Sequence, residues 1–284
     1  MKEAMYWTSE GKTVKCSLCP HNCSITEDNI GFCRVRRNLS GKLYSLNYGK
    51  VSSIALDPIE KKPLNRFYPG MKVLSIGTLG CNLRCSFCQN WSIAHANQAT
   101  VDAEPELIVQ KAIELKDDGN IGIAFTYNEP SIWYEFIYDT AKLSSKAGLK
   151  NILVTNGFIN KEPLEELLPF IHAMNIDVKS FSKNFYKDIC KGKLEDVKRT
   201  VEVSSSKCHV EVTTLVVPGK NDNPEEVEQL ASWLGGINPE IPLHLSRFFP
   251  NYKMKDINVT PLETLEKSKE IAQKYLKYVY IGNI

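Results

Sequence analysis

The chain has 284 residues, 43% of them hydrophobic and 24% charged, a composition that supports one large α/β domain or two ordinary ones. Lysine and arginine number 35 against 33 acidic residues, and a net charge of +2 argues against nucleic acid or an anionic membrane as the default partner. The first residues lack the apolar core of a signal peptide and no apolar run could cross a bilayer, so we expect a cytoplasmic protein with no membrane partner.

The N-terminal segment contains a group of four cysteines: Cys16, Cys19, Cys23 and Cys33. In a reducing compartment, clustered cysteines indicate a metal or redox site rather than disulfide bonds. Four thiolates suit either tetrahedral zinc or a closed iron–sulfur cluster, and His21 could replace one of them. We slightly favour zinc as a structural staple, because the segment has little apolar content. A second cluster that relays electrons is the alternative.

The rest of the first 70 residues predicts a small module around this cysteine group. Arg34, Arg36 and Arg37 form a basic patch, predicted to be a solvated face, with docking of an acidic partner or electron donor as the alternative. The stretch KLYSLNYGKVSSIAL predicts a β-hairpin, and the turn-rich DPIEKKPLNRFYPG then leads to a second unit. We therefore expect a Cys-rich N-terminal module over residues 1–70 and a larger domain over residues 71–284.

From residue 73 onward, apolar β-branched runs alternate with amphipathic helical patterns. This alternation predicts a parallel sheet with right-handed crossovers, either an open doubly wound sheet or a full or partial βα barrel. Polar residues follow the predicted strands, and in both architectures functional residues gather at the carboxyl ends of strands. The predicted strands cover residues 73–78, 121–127, 151–157, 174–181, 210–217, 243–249 and a last apolar run within KYVYIGNI.

The loop after the first of these strands reads GTLGCNLRCSFCQNW and contains Cys81, Cys85 and Cys88. Thiolates are the soft ligands that iron–sulfur clusters select, and three of them can hold three irons of a cubane and leave the fourth open. An open metal position is typical of a reactive site, whereas structural zinc would need a fourth ligand. The two remaining cysteines, Cys190 and Cys208, stand alone and are predicted to be ordinary packed residues.

The C-x3-C-x2-C spacing of CNLRCSFC, with Phe87 before the last cysteine, resembles that of radical S-adenosylmethionine (SAM) enzymes. The resemblance implies a partial (βα)6 TIM-like barrel with a [4Fe-4S] cluster on Cys81, Cys85 and Cys88. It also implies that the amino and carboxylate groups of SAM bind the fourth iron. An electron from a flavodoxin- or ferredoxin-type donor would split SAM to a 5′-deoxyadenosyl radical that abstracts hydrogen. No protein base or nucleophile is predicted, because the cofactor supplies the reaction.

The resemblance also assigns a SAM site at the strand ends. TYNEP (126–130) stands where the family often has a Gly-Gly-Glu-like turn, which implies that Asn128 and Glu129 bind the amino group of SAM. The alternative is that Asn-Glu-Pro only caps the next helix. VTNGF and IDVKSF resemble two strand ends of the pyruvate formate-lyase activating enzyme branch. They imply that Asn156, Asp177 and Lys179 face the SAM carboxylate and ribose.

For His244, in HLSRFFPNYKM, the resemblance implies a place in the SAM site, whereas a lone strand histidine would by itself be an ordinary core residue. This stretch, together with CSLCPHNC, DPIEKKPL and FTYNEPSIWYE, resembles the radical SAM member of the AmmeMemoRadiSam group. Within this class, activation of a partner by a glycyl radical competes with modification of a small metabolite or of another protein. The alternative from a different class is a non-catalytic zinc module that binds nucleic acid.

Overall fold

The N-terminal part of the chain is built from short antiparallel strands in the computed structural model, which describes residues 1–96 and 98–284. The strands are β1 (Lys2–Glu3), β2 (Trp7–Glu10), β3 (Thr13–Cys16), β4 (Ser24–Ile25), β5 (Arg36–Leu39), β6 (Lys42–Ser45), β7 (Lys50–Val51) and β8 (Ser53–Pro58). The first six form two small three-stranded sheets, in the orders β1-β6-β5 and β2-β3-β4.

The remainder alternates strands with helices, as predicted. A 3₁₀ turn (Ile59–Lys61) precedes it, and β7 pairs with a short later strand, β10 (Val101–Asp102). The elements are β9 (Lys72–Gly77), α1 (Trp91–His95), β10 (Val101–Asp102), α2 (Pro105–Glu114), β11 (Asn120–Phe125), α3 (Tyr134–Lys146), β12 (Lys150–Thr155), α4 (Lys161–Leu167), β13 (Ala173–Asp177), α5 (Lys183–Phe185), α6 (Leu194–Ser205), β14 (His209–Val216), α7 (Pro224–Ile237), β15 (Leu243–Arg247), α8 (Leu262–Ala272) and β16 (Val279–Gly282). Further 3₁₀ turns cover Lys116–Asp118, Pro130–Trp133 and Leu168–Phe170, and a π turn covers Tyr186–Cys190.

One eight-stranded sheet organises the molecule, in the order β16-β15-β14-β13-β12-β11-β9-β8. Neighbouring strands from β9 to β16 run parallel, and β8 joins β9 in the antiparallel sense. Because β8 and β16 are its two edges, the barrel stays open within the described residues. The result is the predicted α/β class with six βα units, and it brings the carboxyl ends of the parallel strands to one face.

Local sequence explains where the helices begin and end. Pro105 and Pro224 stand at the first positions of α2 and α7, where a missing N–H costs nothing. The side chain of Asn223 accepts the Glu226 amide at 2.7 Å and caps α7. Gly119 and Gly148 adopt positive φ after α2 and α3. No helix in the described part of the chain combines the length and hydrophobicity that a membrane span requires.

The predicted hairpin over KLYSLNYGKVSSIAL is wrong in its pairing. β6 pairs with β5 through a turn in which Ser40 and Gly41 have φ of 50° and 80°, whereas β8 pairs with β9 of the large sheet. Positive φ at both turn residues is what a tight two-residue hairpin needs. β8 lies inside residues 1–70, so part of the predicted N-terminal module is an edge of the barrel sheet.

The predicted solvated face of arginines is also wrong for Arg36. Successive residues of a strand point to opposite faces, and on β5 the side chain of Arg36 is only 1% exposed while Arg37 is half-buried. The Arg36 guanidinium forms an ion pair with Glu135 of α3, and both side chains are buried. This pair ties the N-terminal sheets to the barrel.

Candidate active site

A cleft of about 480 Å³ lies where the parallel strands end. The loop after β9 contributes one wall and the ends of β11 to β15 contribute the opposite ones. Side chains from β8 and the turn that follows it close a further side. The lining includes Asp57, Lys61, Lys62, Cys81, Cys85, Cys88, Tyr127, Asn128, Glu129, Asn156, Asp177, Lys179, Thr213 and Ser246.

The three cysteines of the C-x3-C-x2-C stretch all line this cleft, with Cys85 buried and the other two half-buried. Their loop is held from several sides. The side-chain amide of Asn82 donates to the Phe158 carbonyl at 2.7 Å, and the Arg84 amide donates to the Cys190 carbonyl at 2.8 Å. The geometry therefore fixes three sulfurs on one rim of a cavity.

Two polar hydrogens are directed at the sulfur of Cys81. The Leu83 amide lies 3.3 Å from Cys81 Sγ, and the side-chain amide of Asn156 lies 3.6 Å from the same atom. Such donors stabilise a thiolate in a metal site. The soft donor set and its hydrogen-bond partners therefore fit an iron–sulfur cluster.

Without a metal, the surroundings favour protonated thiols. Burial raises the pKa of Cys81 well above its usual value and that of Cys88 to about 11. A hydrogen bond with the Cys190 thiol, followed by burial, raises the pKa of Cys85. A bound metal reverses this balance, because its charge compensates the thiolates that burial disfavours.

Asn128 connects the cysteine loop to the end of β11. Its side-chain oxygen accepts the Thr78 amide at 3.0 Å, and its side-chain nitrogen donates to the Gly80 carbonyl at 2.9 Å. Asn128 also lines the cleft. It thus positions the loop one residue before Cys81.

Glu129 is buried at the end of β11 and joins two strand ends. Its carboxylate accepts the Thr155 hydroxyl and the Asn156 amide, both at 2.7 Å, and the Ser131 amide at 2.9 Å. Burial raises the pKa of Glu129, although these donors oppose the shift. The residue caps the next turn and also lines the cleft.

Asp177 and Lys179 form an ion pair at the end of β13, with Nζ 2.6 Å from the Asp177 carboxylate. Both line the cleft. Burial alone would lower the pKa of Lys179, but the Asp177 carboxylate outweighs it and the pKa lies above its usual value. The cleft therefore has a fixed pair of opposite charges at the end of β13.

His244 lies elsewhere. Its Nε2 is 2.6 Å from Glu211 and its ring stacks on Tyr280, with centroids 5.2 Å apart. On β15 it is Ser246, two residues further along the same face, that reaches the cleft. The expected contribution of His244 to the SAM site is thus not supported, since the side chain lies one layer deeper in the barrel.

Sequence analysis missed a second polar group on the cleft wall. Lys62 Nζ and the Tyr127 hydroxyl each lie 2.8 Å from Asp57 Oδ2. Burial alone would raise the pKa of the Asp57 carboxyl, but these two donors lower it to about 2. Thr213 Oγ1 is buried and has no hydrogen-bond partner among the described residues. Asp57 and Lys62 both lie in the stretch DPIEKKPL, which the sequence analysis treated as a link between two units. Only the pairing of β8 with β9 shows that this stretch lies at the cleft.

The N-terminal cysteines gather at a separate place. Three are buried and Cys23 is half-buried, none forms a disulfide, and all four line one small apolar cavity together with Arg36. The loops 19–22 and 32–35 contact the active-site loop from outside the cleft.

The sequence model of the Radical SAM superfamily matches residues 75–234. The chain belongs to the radical SAM superfamily. It is therefore an enzyme of the radical SAM type, and membership implies a [4Fe-4S] cluster and SAM as cofactors. The alternative of a non-catalytic zinc module is wrong.

Individual relatives agree. An uncharacterized protein of Methanocaldococcus jannaschii is 44% identical over all of this chain and 86% of its own length. The pyruvate formate-lyase-activating enzyme of Clostridium pasteurianum is 28% identical, over 74% of this chain and 91% of that enzyme. The crystal structure of a radical SAM methyltransferase from Sphaerobacter thermophilus matches 99% of this chain and 76% of that one, with 15% identity and a TM-score of 0.59, and it confirms the fold.

Proposed function

We propose that this enzyme cleaves SAM reductively at a cluster held by Cys81, Cys85 and Cys88 and directs the resulting radical to one C–H bond of a substrate. One observation carries the proposal: three cysteines line a cleft that offers no fourth cysteine among its described residues. When bound, the cluster and SAM supply a 5′-deoxyadenosyl radical. The chain itself binds, orients and shields the reactants.

The polar strand ends provide groups that match those of SAM. SAM carries an ammonium, a carboxylate and ribose hydroxyls near its sulfonium. The Glu129 carboxylate faces the cleft for the ammonium, and Lys179 offers a positive charge for the carboxylate. Asn156 and Asp177 also line the cleft and are proposed as hydrogen-bonding groups for the ribose.

Asn128 is proposed to have a supporting part in SAM binding. Its side chain already bonds the backbone at Thr78 and Gly80, so it fixes the loop that presents the cysteines. Glu129 likewise holds Asn156 through the backbone amide. Both residues therefore keep the SAM-facing groups in register with the sulfurs, which is what a radical reaction at one C–H bond requires.

For the substrate we propose a glycyl-radical partner protein as the first candidate. The similarity to an enzyme named pyruvate formate-lyase-activating enzyme over 74% of this chain supports it. The second candidate is a small polar metabolite or a different protein. The charged group of Asp57, Lys61 and Lys62 on the cleft wall favours it, because such side chains can pair with a polar substrate.

The reducing electron is proposed to come from a flavodoxin- or ferredoxin-type protein. We propose a cytoplasmic location, because cysteines that bind a metal need a compartment that keeps thiols reduced.

Anaerobic SAM cleavage tests the proposal. The protein is loaded with iron and sulfide, reduced with dithionite and supplied with SAM, and we expect methionine and 5′-deoxyadenosine in equal amounts. A variant with Cys81, Cys85 and Cys88 all changed to Ala should cleave no SAM, while Cys208→Ala, at a half-buried cysteine away from the cleft, should match the wild type. Cleavage by the triple variant, or none by the wild type, would overturn the proposal.

A further inference from the structure

The four N-terminal cysteines surround a small cavity and are spaced more widely than the ligands of a single metal ion. Tetrahedral zinc with Zn–S bonds of about 2.3 Å holds its sulfurs about 3.8 Å apart. Within residues 1–96 and 98–284, no three Cys, His, Asp or Glu side chains are close enough together to share one ion. All four thiols nevertheless line the same cavity. This spacing suits a four-iron cluster, in which each iron binds one cysteine sulfur, better than it suits a zinc ion.

The same open spacing holds for Cys81, Cys85 and Cys88, and the two groups share a second feature. In each group, a cysteine sulfur accepts a hydrogen bond from a backbone amide. The Phe32 amide donates to Cys23 at 3.5 Å, and the Leu83 amide donates to Cys81 at 3.3 Å. Hydrogen bonds of this kind stabilise cluster thiolates. The N-terminal loops therefore resemble the active-site loop in how they present sulfur.

Arg36 adds an unused donor to this cavity. Its side chain is 1% exposed and lines the cavity, and its Nε has no hydrogen-bond partner among the described residues. The other guanidinium nitrogens are occupied, since Nη1 donates to the Met5 carbonyl at 2.8 Å and Nη2 pairs with Glu135. A cluster on four thiolates has accepting sulfurs, one of which would satisfy the free N–H of Arg36.

The two cysteine groups are joined through direct contacts. The Cys33 carbonyl packs against Gly80, the residue before Cys81, so that a Cβ at position 80 would lie 2.7 Å from the carbonyl oxygen. Arg84 bridges the two loops by donating to the carbonyls of Phe32 and Cys81. His21 Nε2 lies 2.7 Å from the Asn82 carbonyl. The cavity is thus packed directly against the loop that holds the SAM cluster.

We propose that Cys16, Cys19, Cys23 and Cys33 hold a second iron–sulfur cluster, of the [4Fe-4S] type, that passes electrons to the cluster on Cys81, Cys85 and Cys88. An external one-electron donor protein of the flavodoxin or ferredoxin class reduces the N-terminal cluster from its 2+ to its 1+ state. That cluster then returns to 2+ as it reduces the active-site cluster from 2+ to 1+, so one electron is lost and one gained. No proton or bond changes in this transfer. The relay role rests on the proposed function; the metal identity does not.

Metal analysis of the variant with Cys81, Cys85 and Cys88 changed to Ala tests the first part. The chain is expressed with iron and zinc both in the medium and purified without oxygen. We expect about four iron and four sulfide per chain, and an electron paramagnetic resonance (EPR) signal on reduction. A variant that also carries Cys23→Ala should lose that iron. One zinc per chain with no iron, or iron that survives the Cys23 change unaltered, would overturn the proposal.

Electron counting in the wild type tests the relay. The protein is fully reduced, freed of reductant by gel filtration and mixed with excess SAM. A relay delivers both stored electrons, so about two 5′-deoxyadenosine should form per chain, with loss of both reduced EPR signals. About one 5′-deoxyadenosine, with the N-terminal signal left unchanged, would overturn the relay. If SAM is not cleaved at all, the proposed function fails, while the metal analysis still decides what the N-terminal cysteines bind.

Discussion

The carbonyl oxygen of Cys33 lies against the Cα of Gly80, and this contact couples the two cysteine groups of the molecule. Gly80 has φ of +90°, and a Cβ there would lie 2.7 Å from the Cys33 oxygen and 2.8 Å from Val35. Only a residue without a side chain allows this approach. The N-terminal loops can therefore pack directly against the active-site loop at the residue before Cys81.

Gly80→Ala should destabilise the protein and lower its rate of SAM cleavage. The positive φ costs about 1 kcal/mol for an L residue, and the backbone clash adds to that cost. Gly119→Ala is the matched control, because Gly119 has φ of +88° but nothing within 4 Å of its Cβ position. Urea unfolding and SAM cleavage should both show a larger loss at residue 80. Equal losses at the two positions would show that the contact has no effect.

Cys190→Ala should lower the reduction potential of the active-site cluster. The buried Cys190 thiol lies beside Cys85, and once Cys85 binds the cluster as a thiolate the Cys190 S–H can donate to it, which favours the reduced, more negative state. A hydrogen bond of about 1 kcal/mol corresponds to a shift of about 40 mV for one electron. EPR-monitored redox titration measures the shift. Cys190→Ser keeps a donor and should stay near the wild type, so a serine variant as low as the alanine variant would speak against this role.

Lys179→Met should weaken SAM binding by about tenfold or more, since a charge-assisted hydrogen bond contributes roughly 1.5–3 kcal/mol. The variant also leaves Asp177 without its partner at 2.6 Å. The double variant Lys179→Met with Asp177→Asn removes that unpaired charge and should regain stability but not affinity. Equilibrium dialysis of the cluster-loaded protein gives the affinity, and thermal unfolding gives the stability. Wild-type affinity in either variant would remove Lys179 from the site.

Acid should destabilise the protein through Glu211. Burial alone would raise its pKa, but hydrogen bonds from His209, His244 and the Arg66 amide lower it from 4.5 to about 2. Because the folded value lies below the unfolded one, the stabilisation is complete above about pH 4.5 and is lost as pH falls toward 2. Its size is about 3 kcal/mol.

Glu211→Gln should flatten this dependence relative to the wild type in urea unfolding from pH 6 down to about 3. The exposed strand residue Glu10, changed to Gln, is the control and should leave the curve unaltered. An unchanged slope in the Glu211 variant would contradict the assigned network.

The parallel strands and the active-site cysteines could be predicted because their signals are local. Apolar β-branched runs define β9, β11 and β12 within a few residues, and the C-x3-C-x2-C spacing lies in one loop. Since parallel strands end on one face, the placement of Asp177 and Lys179 on the cleft followed from topology.

The predictions that failed depended on which distant strands pair and on how far each side chain lies from the cleft. β8 pairs with β9 rather than with β6, and this brings Asp57 and Lys62 to the cleft. His244 and Ser246 are two residues apart on β15, so their side chains point to the same face of the sheet. The alternation of the strand therefore could not show which of them reaches the cleft. The burial of Arg36 likewise required Glu135, which lies 99 residues away.

The central claim is that SAM itself occupies the iron position that Cys81, Cys85 and Cys88 leave open. Electron–nuclear double resonance on the reduced protein with SAM labelled by ¹⁵N in its amino group tests this most directly. We predict a strong hyperfine coupling between that nitrogen and the cluster, present in the wild type and lost with the three cysteines. A reduced cluster that shows no coupling to bound, labelled SAM would contradict the account.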